Sequence, residues 1–479
     1  MLSKHINSSS SSRRFNNLTL KADTYKLAHW QAYEALRLTK VFSYFEARKN
    51  AQFDTTTFFG LQPILKFLQE NPITMEMVDE ADAFTTGHIG PDLYNRAGWE
   101  YVAKELKGKI PIRIKALDEG VEVPKGNALL TIENTDPNCP WITNHFETFL
   151  TQVWFPSTVA TLSKEIKKLC KKYLDLTSDD GEIPLKFMLH DFGERGVSSM
   201  ESAGMGGMAH LVNFYGSDTV EGVLYANEFY NEPMAAFSVI ATEHSIMTSR
   251  ARDGEYEVIE MLLKKFPKGI LSLVLDSYNI YEAVEELTSV LIPLVKGREG
   301  KVVIRPDSGE PLEVLPRIFE ILEKNLGSEI ITNSKGFKVL PSYIGVIWGD
   351  GLDLNKIQEI LDWLLHAGWS VENIVFGMGG GLLQKINRDT QAFAFKCSAN
   401  QTEEGVWNDV WKDPVDSSSG KSSKKGCLKL IKHEGVYKTV REDDSAYTEF
   451  ENELKVVFEN GEIKKEFTFE EVRSNAEIA

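Results

Sequence analysis

The sequence predicts an α/β protein in which an irregular βα barrel is combined with a discontinuous α+β domain built from the N- and C-terminal segments. Two observations predict the barrel: short apolar runs that end in Asp, Gly or Ser recur between residues 186 and 398, and helical spacing separates them. Such runs are typical of strands buried on both faces of a parallel sheet. The third observation is a pair of hairpin signals after residue 398.

Eight runs are candidates for barrel strands, at the spacing of about 30 residues that βα units require. Five are clear, at residues 187–189, 271–275, 302–304, 344–348 and 374–376, and three are weaker, at 211–214, 237–240 and 393–395. In a βα barrel the active site lies where the strands end. The groups predicted to share this rim are Asp191, Asp218, His244, Asp276, Arg305, Asp307, Asp350 and the glycine run at 377–381.

The remaining segments predict the second domain. Strands are expected at 41–45, 109–114 and 128–132, a helix near 61–68, and a largely helical stretch at 141–173. Two hairpins are expected around residues 433–435 and Asn460-Gly461, the latter a strong turn signal. A terminal β segment is not stable alone, so it should complete the first sheet. The predicted division is a disordered tail at 1–17, an α+β domain at 18–185 and 399–479, and a βα barrel domain at 186–398.

Composition excludes several classes of protein. The net charge of −17 over 479 residues argues against a sequence-independent nucleic-acid binder. No apolar stretch approaches the roughly 20 residues of a membrane span. Four cysteines without CxxC spacing fit a reducing compartment, so we expect a cytoplasmic protein. The basic, Ser-rich start leaves an organellar transit peptide open as the alternative to a disordered tail.

Two strand exits carry groups suited to anions and hydroxyls. The run Gly377-Met378-Gly379-Gly380-Gly381 would let backbone N–H groups approach a phosphate, and three adjacent glycines favour this over the alternative, a tight strand–helix turn. In Arg305-Pro306-Asp307 the arginine suits phosphate or a carbonyl, and the carboxylate suits ribose hydroxyls. Asp350 repeats the second half of this pattern. Each of these residues could instead cap a helix.

His244 follows Glu243 just beyond a predicted strand. A neutral imidazole is a nucleophile as well as a base, and a nearby carboxylate would fix its tautomer. The structural alternative is a satisfied histidine with no chemical role. Metal-binding patterns such as HExxH are absent from the sequence.

Taken together, these motifs resemble the nicotinamide phosphoribosyltransferases, within the type II phosphoribosyltransferase family. The matching segments run nearly from end to end of the chain: residues 23–29, 41–46, 59–62, 133–137, 190–199, 242–245, 276–278, 304–309, 349–351 and 379–385. The resemblance implies transfer of a phosphoribosyl group from 5-phosphoribosyl pyrophosphate to nicotinamide in NAD salvage. It also implies Mg²⁺ held through pyrophosphate, stimulation by ATP through a phosphohistidine, and a homodimer with shared active sites.

The resemblance also implies roles for individual residues. The base would stack between Phe192 and the partner's Tyr25, with Asp218 and Arg305 on its amide. Catalytic roles would fall to His244, Asp307, Glu243 and Asp276. The remaining substrate contacts would be Arg195, Arg48, Gly349, Asp350, Gly379, Gly380 and Arg388. Glu194 departs from the pattern, because an aromatic residue is expected there.

Three other functions compete with this one. A nicotinate phosphoribosyltransferase shares the fold and the reaction, but Asp218 would repel its anionic base. A signalling or scaffold protein would not need an intact set of rim groups. A barrel isomerase or aldolase would need a Schiff-base lysine or a pair of bases on the rim, and the sequence offers neither.

Overall fold

The computed structural model describes residues 16–412 and 423–478, so the predicted tail and most of the polar loop near residue 420 lie largely outside it. The chain forms two compact units. One comprises Met1–Thr161 and Asn387–Ala476, and the other comprises Leu162–Ile386 and Glu477–Ala479.

The second unit is built on a seven-stranded sheet in which every pairing is parallel. The strands, in sheet order, are Gly216–Ser217, Leu189–Asp191, Ile374–Met378, Ile344–Trp348, Val302–Arg305, Leu271–Val274 and Ile240–Ala241. A single bridge between Gly216 and Phe237 joins the two edges, which curls the sheet into an irregular barrel. The central strands are buried on both faces, as their continuous apolar runs predict.

Helices connect these strands. The α-helices are Glu182–Phe187, Met200–His210, Val220–Tyr230, His244–Met247, Glu255–Lys265, Ile280–Ser289, Ile292–Lys296, Pro311–Leu326, Leu354–His366 and Gly380–Leu383. Short 3₁₀ turns lie at Glu194–Gly196, Thr248–Arg250, Arg252–Gly254 and Val371–Asn373, and a small hairpin pairs Ile331–Thr332 with Lys338–Val339. The helical spacing between the apolar runs, clearest at 280–294 and 315–326, predicts helices that are confirmed, the first as two short helices.

Three strand predictions are wrong in detail. Residues 187–189 straddle the end of a helix, and the strand begins at Leu189. Residues 211–214 form the turn after Met200–His210, before the two-residue strand Gly216–Ser217. Residues 393–395 begin the ten-residue strand Phe393–Thr402, which pairs antiparallel with Leu38–Ala47 in the other unit. This strand therefore belongs to the antiparallel sheet, which suits its polar second half. The barrel sheet has seven strands rather than the predicted eight.

The first unit contains a seven-stranded sheet in which every pairing is antiparallel. Its strands, in sheet order, are Trp407–Asp409, Phe393–Thr402, Leu38–Ala47, Ala128–Asn134, Ile112–Ala116, Lys455–Glu459 and Glu462–Ile463. Two smaller sheets pair Thr55–Thr57 with Glu122–Pro124 and Leu428–His433 with Val436–Arg441. Its α-helices are Trp30–Ala35, Leu61–Glu70, Met75–His88, Arg96–Lys104, Ile142–His145, Glu147–Thr151 and Phe469–Asn475, and its 3₁₀ turns are Leu18–Leu20, Thr24–Ala28 and Ser445–Tyr447. Helix Trp154–Thr177 runs through the point at which the two units divide along the chain.

The predicted hairpins are confirmed. Glu434-Gly435 and Asn460-Gly461 both have positive φ at both positions, the geometry of a two-residue turn that matches strand twist. Lys455–Glu459 pairs with Ile112–Ala116, so the C-terminal segment completes the sheet begun by the N-terminal segment. Among the described residues, no helix combines the length and apolarity that a membrane crossing requires.

Candidate active site

Parallel pairing places the carboxyl ends of the seven barrel strands at one rim. Each strand is followed at that rim by a predicted functional residue. In chain order these are Phe192, Asp218, Glu243 with His244, Asp276, Asp307, Asp350 and the glycine run.

His244 is held by Asp276. The imidazole Nε2 lies 3.0 Å from Asp276 Oδ1, with the histidine side chain half exposed and the carboxylate buried. A carboxylate only accepts hydrogen bonds, so Nε2 carries the proton and Nδ1 has the lone pair. Glu243, the other predicted orienting group, instead accepts a hydrogen bond from the Ser245 hydroxyl.

The second oxygen of Asp276 binds the next loop. Asp276 Oδ2 accepts hydrogen bonds from the Asp307 backbone N–H at 3.2 Å and from the Ser308 hydroxyl at 2.5 Å. Sequence reasoning missed Ser308, although it directly follows the aspartate that the motif singled out. One carboxylate therefore connects the histidine with the Arg305–Asp307 segment.

Arg305 and Asp307 lie side by side without a hydrogen bond. Arg305 Nε is 3.8 Å from Asp307 Oδ1, and this buried N–H has no hydrogen-bond partner among the described residues. Burial raises the pKa of Asp307, and the Arg305 charge opposes that effect. The carboxylates of Asp276 and Asp350 raise the pKa further. Arg305 thus provides a hydrogen-bond donor close to the carboxylates of Asp307, Asp276 and Asp350.

Phe192 occupies room left by two glycines. A Cβ at Gly377 would lie 2.0 Å from Phe192 Cε2, and one at Gly349 would lie 3.0 Å from the same atom. The Gly349 position is also 3.8 Å from Asp307 Oδ1. Glycine at both positions thus lets the aromatic ring lie against the strand ends, beside the polar groups of the rim.

Asp218 is exposed, and its Oδ1 accepts a hydrogen bond from the Ser238 hydroxyl. Its backbone N–H donates to the Asp191 carbonyl at 2.9 Å. Asp191 itself is fully buried, and burial raises the pKa of its carboxyl group to about 7. Asp191 Oδ1 accepts from the Gly193 N–H at 2.7 Å, whereas Oδ2 has no hydrogen-bond partner among the described residues. This neighbourhood is acidic.

The glycine run forms the last strand residues and a helix of four residues, Gly380–Leu383. A Cβ at Gly380 would meet no atom within 4 Å, so its backbone is open to a ligand, while Gly379 lies against the Phe192 carbonyl. Arg195 is exposed in the turn Glu194–Gly196. The sequence after the glycine run predicts a helix with Arg388 two turns into it, and this is wrong, because the helix ends at Leu383 and Arg388 belongs to the other unit.

Tyr25 and Arg48 also lie in the α+β unit. Tyr25 is 61% exposed, and Arg48 Nε donates to the Ala392 carbonyl at 2.9 Å. Sequence reasoning missed a group of lysines around Arg48. Burial lowers the pKa of Lys396, and the charges of Lys412 and Arg48 lower it further, which shows that these cations are close together. No sequence motif marks the group, because strand pairing brings it together.

A third lysine, Lys424, lies beside this group. Lys424 Nζ forms an ion pair with the buried Glu46, and the Lys424 backbone N–H donates to the Tyr44 hydroxyl at 2.9 Å. Tyr44 pairs with Lys396 across two strands. Within the described residues, no group of three or more His, Cys, Asp or Glu side chains is arranged to hold a metal ion.

Comparison with known proteins shows the family of this chain. Residues 187–462 match the nicotinate phosphoribosyltransferase (NAPRTase) family, and residues 17–114 match the nicotinamide phosphoribosyltransferase N-terminal domain. The chain is 42% identical over 471 residues to the nicotinamide phosphoribosyltransferase of Xanthomonas campestris pv. campestris, covering 97% of this chain and 99% of that one. The enzyme of the same name from Acinetobacter baylyi is 31% identical, with 88% of each chain covered.

Solved structures show the same fold. Nicotinate-nucleotide pyrophosphorylase from Pyrococcus furiosus superposes with a TM-score of 0.61 at 18% identity, covering 99% of this chain and 97% of that one. Human nicotinic acid phosphoribosyltransferase gives a TM-score of 0.56 at 15% identity, with 95% and 92% covered. The fold, the extent of the sequence matches and the two domain matches agree. The chain is therefore an enzyme, a phosphoribosyltransferase that belongs to the nicotinate phosphoribosyltransferase family.

Proposed function

We propose that this enzyme transfers the phosphoribosyl group of 5-phosphoribosyl pyrophosphate to nicotinamide, giving nicotinamide mononucleotide and pyrophosphate for NAD salvage. The observation that carries the choice of base is Asp218, an exposed carboxylate at the rim that forms no ion pair among the described residues. A carboxylate accepts from the NH₂ of an amide and repels the carboxylate of nicotinate. The names of the two sequence relatives support the same choice.

The proposed base pocket uses three side chains. The ring stacks on Phe192, which the glycines at 349 and 377 accommodate. Asp218 accepts from the carboxamide NH₂. The buried Nε–H of Arg305, which has no hydrogen-bond partner among the described residues, belongs to a guanidinium that donates to the carboxamide oxygen.

The proposed sugar and phosphate contacts continue along the rim. Asp307 and Asp350 accept from the ribose hydroxyls, next to Gly349. Gly379 and Gly380 offer backbone N–H groups to phosphate, and Arg195 offers its guanidinium. Arg48 and Arg388 complete the proposed set of phosphate contacts.

Transfer of a ribosyl group passes through a cationic, oxocarbenium-like state. Asp307 and its neighbouring carboxylates stabilise positive charge at this position, and the basic groups stabilise the departing pyrophosphate. Mg²⁺ enters as part of the pyrophosphate-containing substrate and neutralises charge on the leaving group.

ATP coupling is assigned to His244. Because Nε2 donates to Asp276, Nδ1 is the atom with a lone pair to attack a γ-phosphate. The N–P bond forms at Nδ1 as the bond to the ADP oxygen breaks, and later transfer to water restores the imidazole. Asp276 is therefore the orienting group, and Glu243 acts at most through Ser245.

The active enzyme is proposed to be a homodimer in which Tyr25 and Arg48 of one subunit complete the partner's site. An exposed tyrosine would supply the second face of the aromatic stack. Mixing inactive Tyr25→Ala subunits with inactive Asp218→Ala subunits should restore activity, since one of the two shared sites regains both groups. Verified mixed dimers that stay inactive contradict the shared site.

The function is tested by measuring mononucleotide formation from nicotinamide and from nicotinate side by side, each with and without ATP. We expect nicotinamide to be used at least about 10-fold better, since like charges about 4 Å apart repel by about 1–4 kcal/mol depending on the local dielectric and the amide gains a hydrogen bond. ATP should lower the nicotinamide concentration needed for half-maximal rate. Equal use of the two bases, or a preference for nicotinate, rejects the proposal.

A further inference from the structure

Glu194 lies in the turn between Phe192 and Arg195, two residues with proposed roles in substrate binding, but has no proposed contact with substrate itself. It begins the one-turn helix Glu194–Gly196 and is only partly exposed. Its Oε2 accepts a hydrogen bond from the backbone N–H of Val220 at 2.7 Å. Val220 is two residues beyond Asp218, so the contact joins the turn after one barrel strand to the segment that carries the proposed amide acceptor.

The contact also completes a helix end. Val220 is the first residue of helix Val220–Tyr230, whose N-cap Thr219 forms no capping hydrogen bond through its side chain. The first N–H groups of a helix have no partner within the helix, and negative charge is favourable there. Glu194 therefore replaces the missing local cap and fixes where the helix, and with it the Asp218 segment, begins.

The charge of Glu194 acts on the same neighbourhood as Asp218. Both carboxylates raise the pKa of the buried Asp191, Asp218 more strongly, after the larger effect of burial. Asp191 Oδ2 has no hydrogen-bond partner among the described residues. No salt bridge to Glu194 or to Asp218 occurs among the described residues, so an arriving anion meets two carboxyl side chains that no cation pairs with there.

We propose that Glu194 is a positioning and specificity-determining residue: its hydrogen bond to Val220 holds the Asp218 segment, and its charge adds to the exclusion of an anionic base. This inference rests on the proposed use of nicotinamide. It assigns two separable contributions to one carboxylate, and the chain offers substitutions that remove each of them alone.

Glu194→Gln keeps an oxygen that accepts from the Val220 N–H and removes the charge. We expect kcat/KM for nicotinamide to stay within about twofold of wild type, while discrimination against nicotinate falls about three- to tenfold. Discrimination is measured from kcat/KM for both bases and from the inhibition constant of nicotinate. In the wild type it should weaken as salt rises, because salt screens exposed charges, and in Glu194→Gln this salt dependence should be smaller.

Val220→Pro is the complementary variant, since it removes the N–H donor and keeps the charge. Proline is favoured at the first position of a helix, and the extended backbone of Thr219 suits a following proline. We expect kcat/KM for nicotinamide to fall about three- to tenfold with discrimination nearly unchanged. Glu194→Ala should show both effects. Melting temperature and circular dichroism verify that each variant is folded.

Each part can be refuted. Unchanged discrimination in Glu194→Gln overturns the charge contribution, and unchanged nicotinamide kinetics in folded Val220→Pro and Glu194→Ala overturn the positioning contribution. If the wild-type enzyme does not use nicotinamide, the proposed function itself fails, and that outcome is visible before any variant is made.

Discussion

Gly377 is the position at which a single methyl group should disturb the proposed base pocket most directly. In Gly377→Ala the new Cβ would lie 2.0, 2.4 and 2.7 Å from Cε2, Cδ2 and Cζ of Phe192. Ordinary contact begins near 3.4 Å, so the new methyl group and the Phe192 ring must separate by about 1.4 Å. Because the close-packed strand that carries Gly377 is rigid, it is the ring that moves. The substitution therefore displaces the stacking surface without removing it.

The expected change in the KM for nicotinamide follows from the free energy that an aromatic pair contributes. Such pairs contribute about 0.5–1.5 kcal/mol beyond their buried area, which corresponds to an increase of about 2- to 13-fold in the KM for nicotinamide. The stack is present in the ground state and the transition state alike, so kcat should change little. Forcing the ring aside should also cost about 1–3 kcal/mol of stability, as overpacked sites do.

The assay is the initial rate against nicotinamide concentration at saturating 5-phosphoribosyl pyrophosphate, together with a thermal melt. Gly87→Ala is the control, because a Cβ there meets nothing within 4 Å. In a Phe192→Ala background the Gly377→Ala change should add almost nothing to KM, since the ring it displaces is gone. A folded Gly377→Ala enzyme with unchanged KM refutes the stacking role of Phe192.

Three further predictions follow from the rim. Asp218→Asn should raise the ratio of nicotinate to nicotinamide use by 10-fold or more, because it removes the repelling charge; specificity constants for both bases measure this, and an unchanged ratio removes Asp218 from base selection. His244→Ala should abolish ATP hydrolysis and acid-labile phosphorylation while slow, ATP-independent synthesis remains; label from γ-labelled ATP that persists on the variant points to another acceptor. Asp191→Asn should stabilise the enzyme relative to wild type, by an amount that grows as pH rises from about 4 to about 7. The reason is that folding raises the pKa of Asp191 from 3.8 to about 7, so in this range the folded wild type binds a proton that the unfolded chain releases. Melting temperatures of both proteins across that range check the sign, and a difference that does not grow contradicts it.

Sequence reasoning predicted the barrel because its strongest signals are local. Apolar runs such as 344–348 are buried on both faces whatever pairs beside them, so burial alone identifies the strand. The failure at 393–395 has the opposite cause. Which sheet a strand joins depends on its partner, and the partner Leu38–Ala47 lies about 350 residues away in the sequence.

For the site, the sequence predicted which residues lie at the rim of the barrel but not all of their side-chain contacts. Residues at strand exits, such as Asp276 and Asp307, share the rim because parallel strands must end together. Which of Glu243 and Asp276 would hold His244 depended on side-chain direction, which the sequence does not determine. The lysines around Arg48 were missed because they come together only through antiparallel pairing.

The two oxygens of Asp276 accept hydrogen bonds from different parts of the rim, so a change at one oxygen can affect the partners of the other. Oδ1 accepts from His244, while Oδ2 accepts from the Asp307 N–H and the Ser308 hydroxyl. In the proposed function, a phosphoryl group on Nδ1 would make the Nε2–H a stronger donor, which would draw electron density toward Oδ1 and weaken the hold of Oδ2 on the loop proposed to bind ribose. Phosphorylation of His244, if it occurs as proposed, would thus affect the residues proposed to bind the sugar through the single side chain of Asp276, without the movement of a lid or a domain.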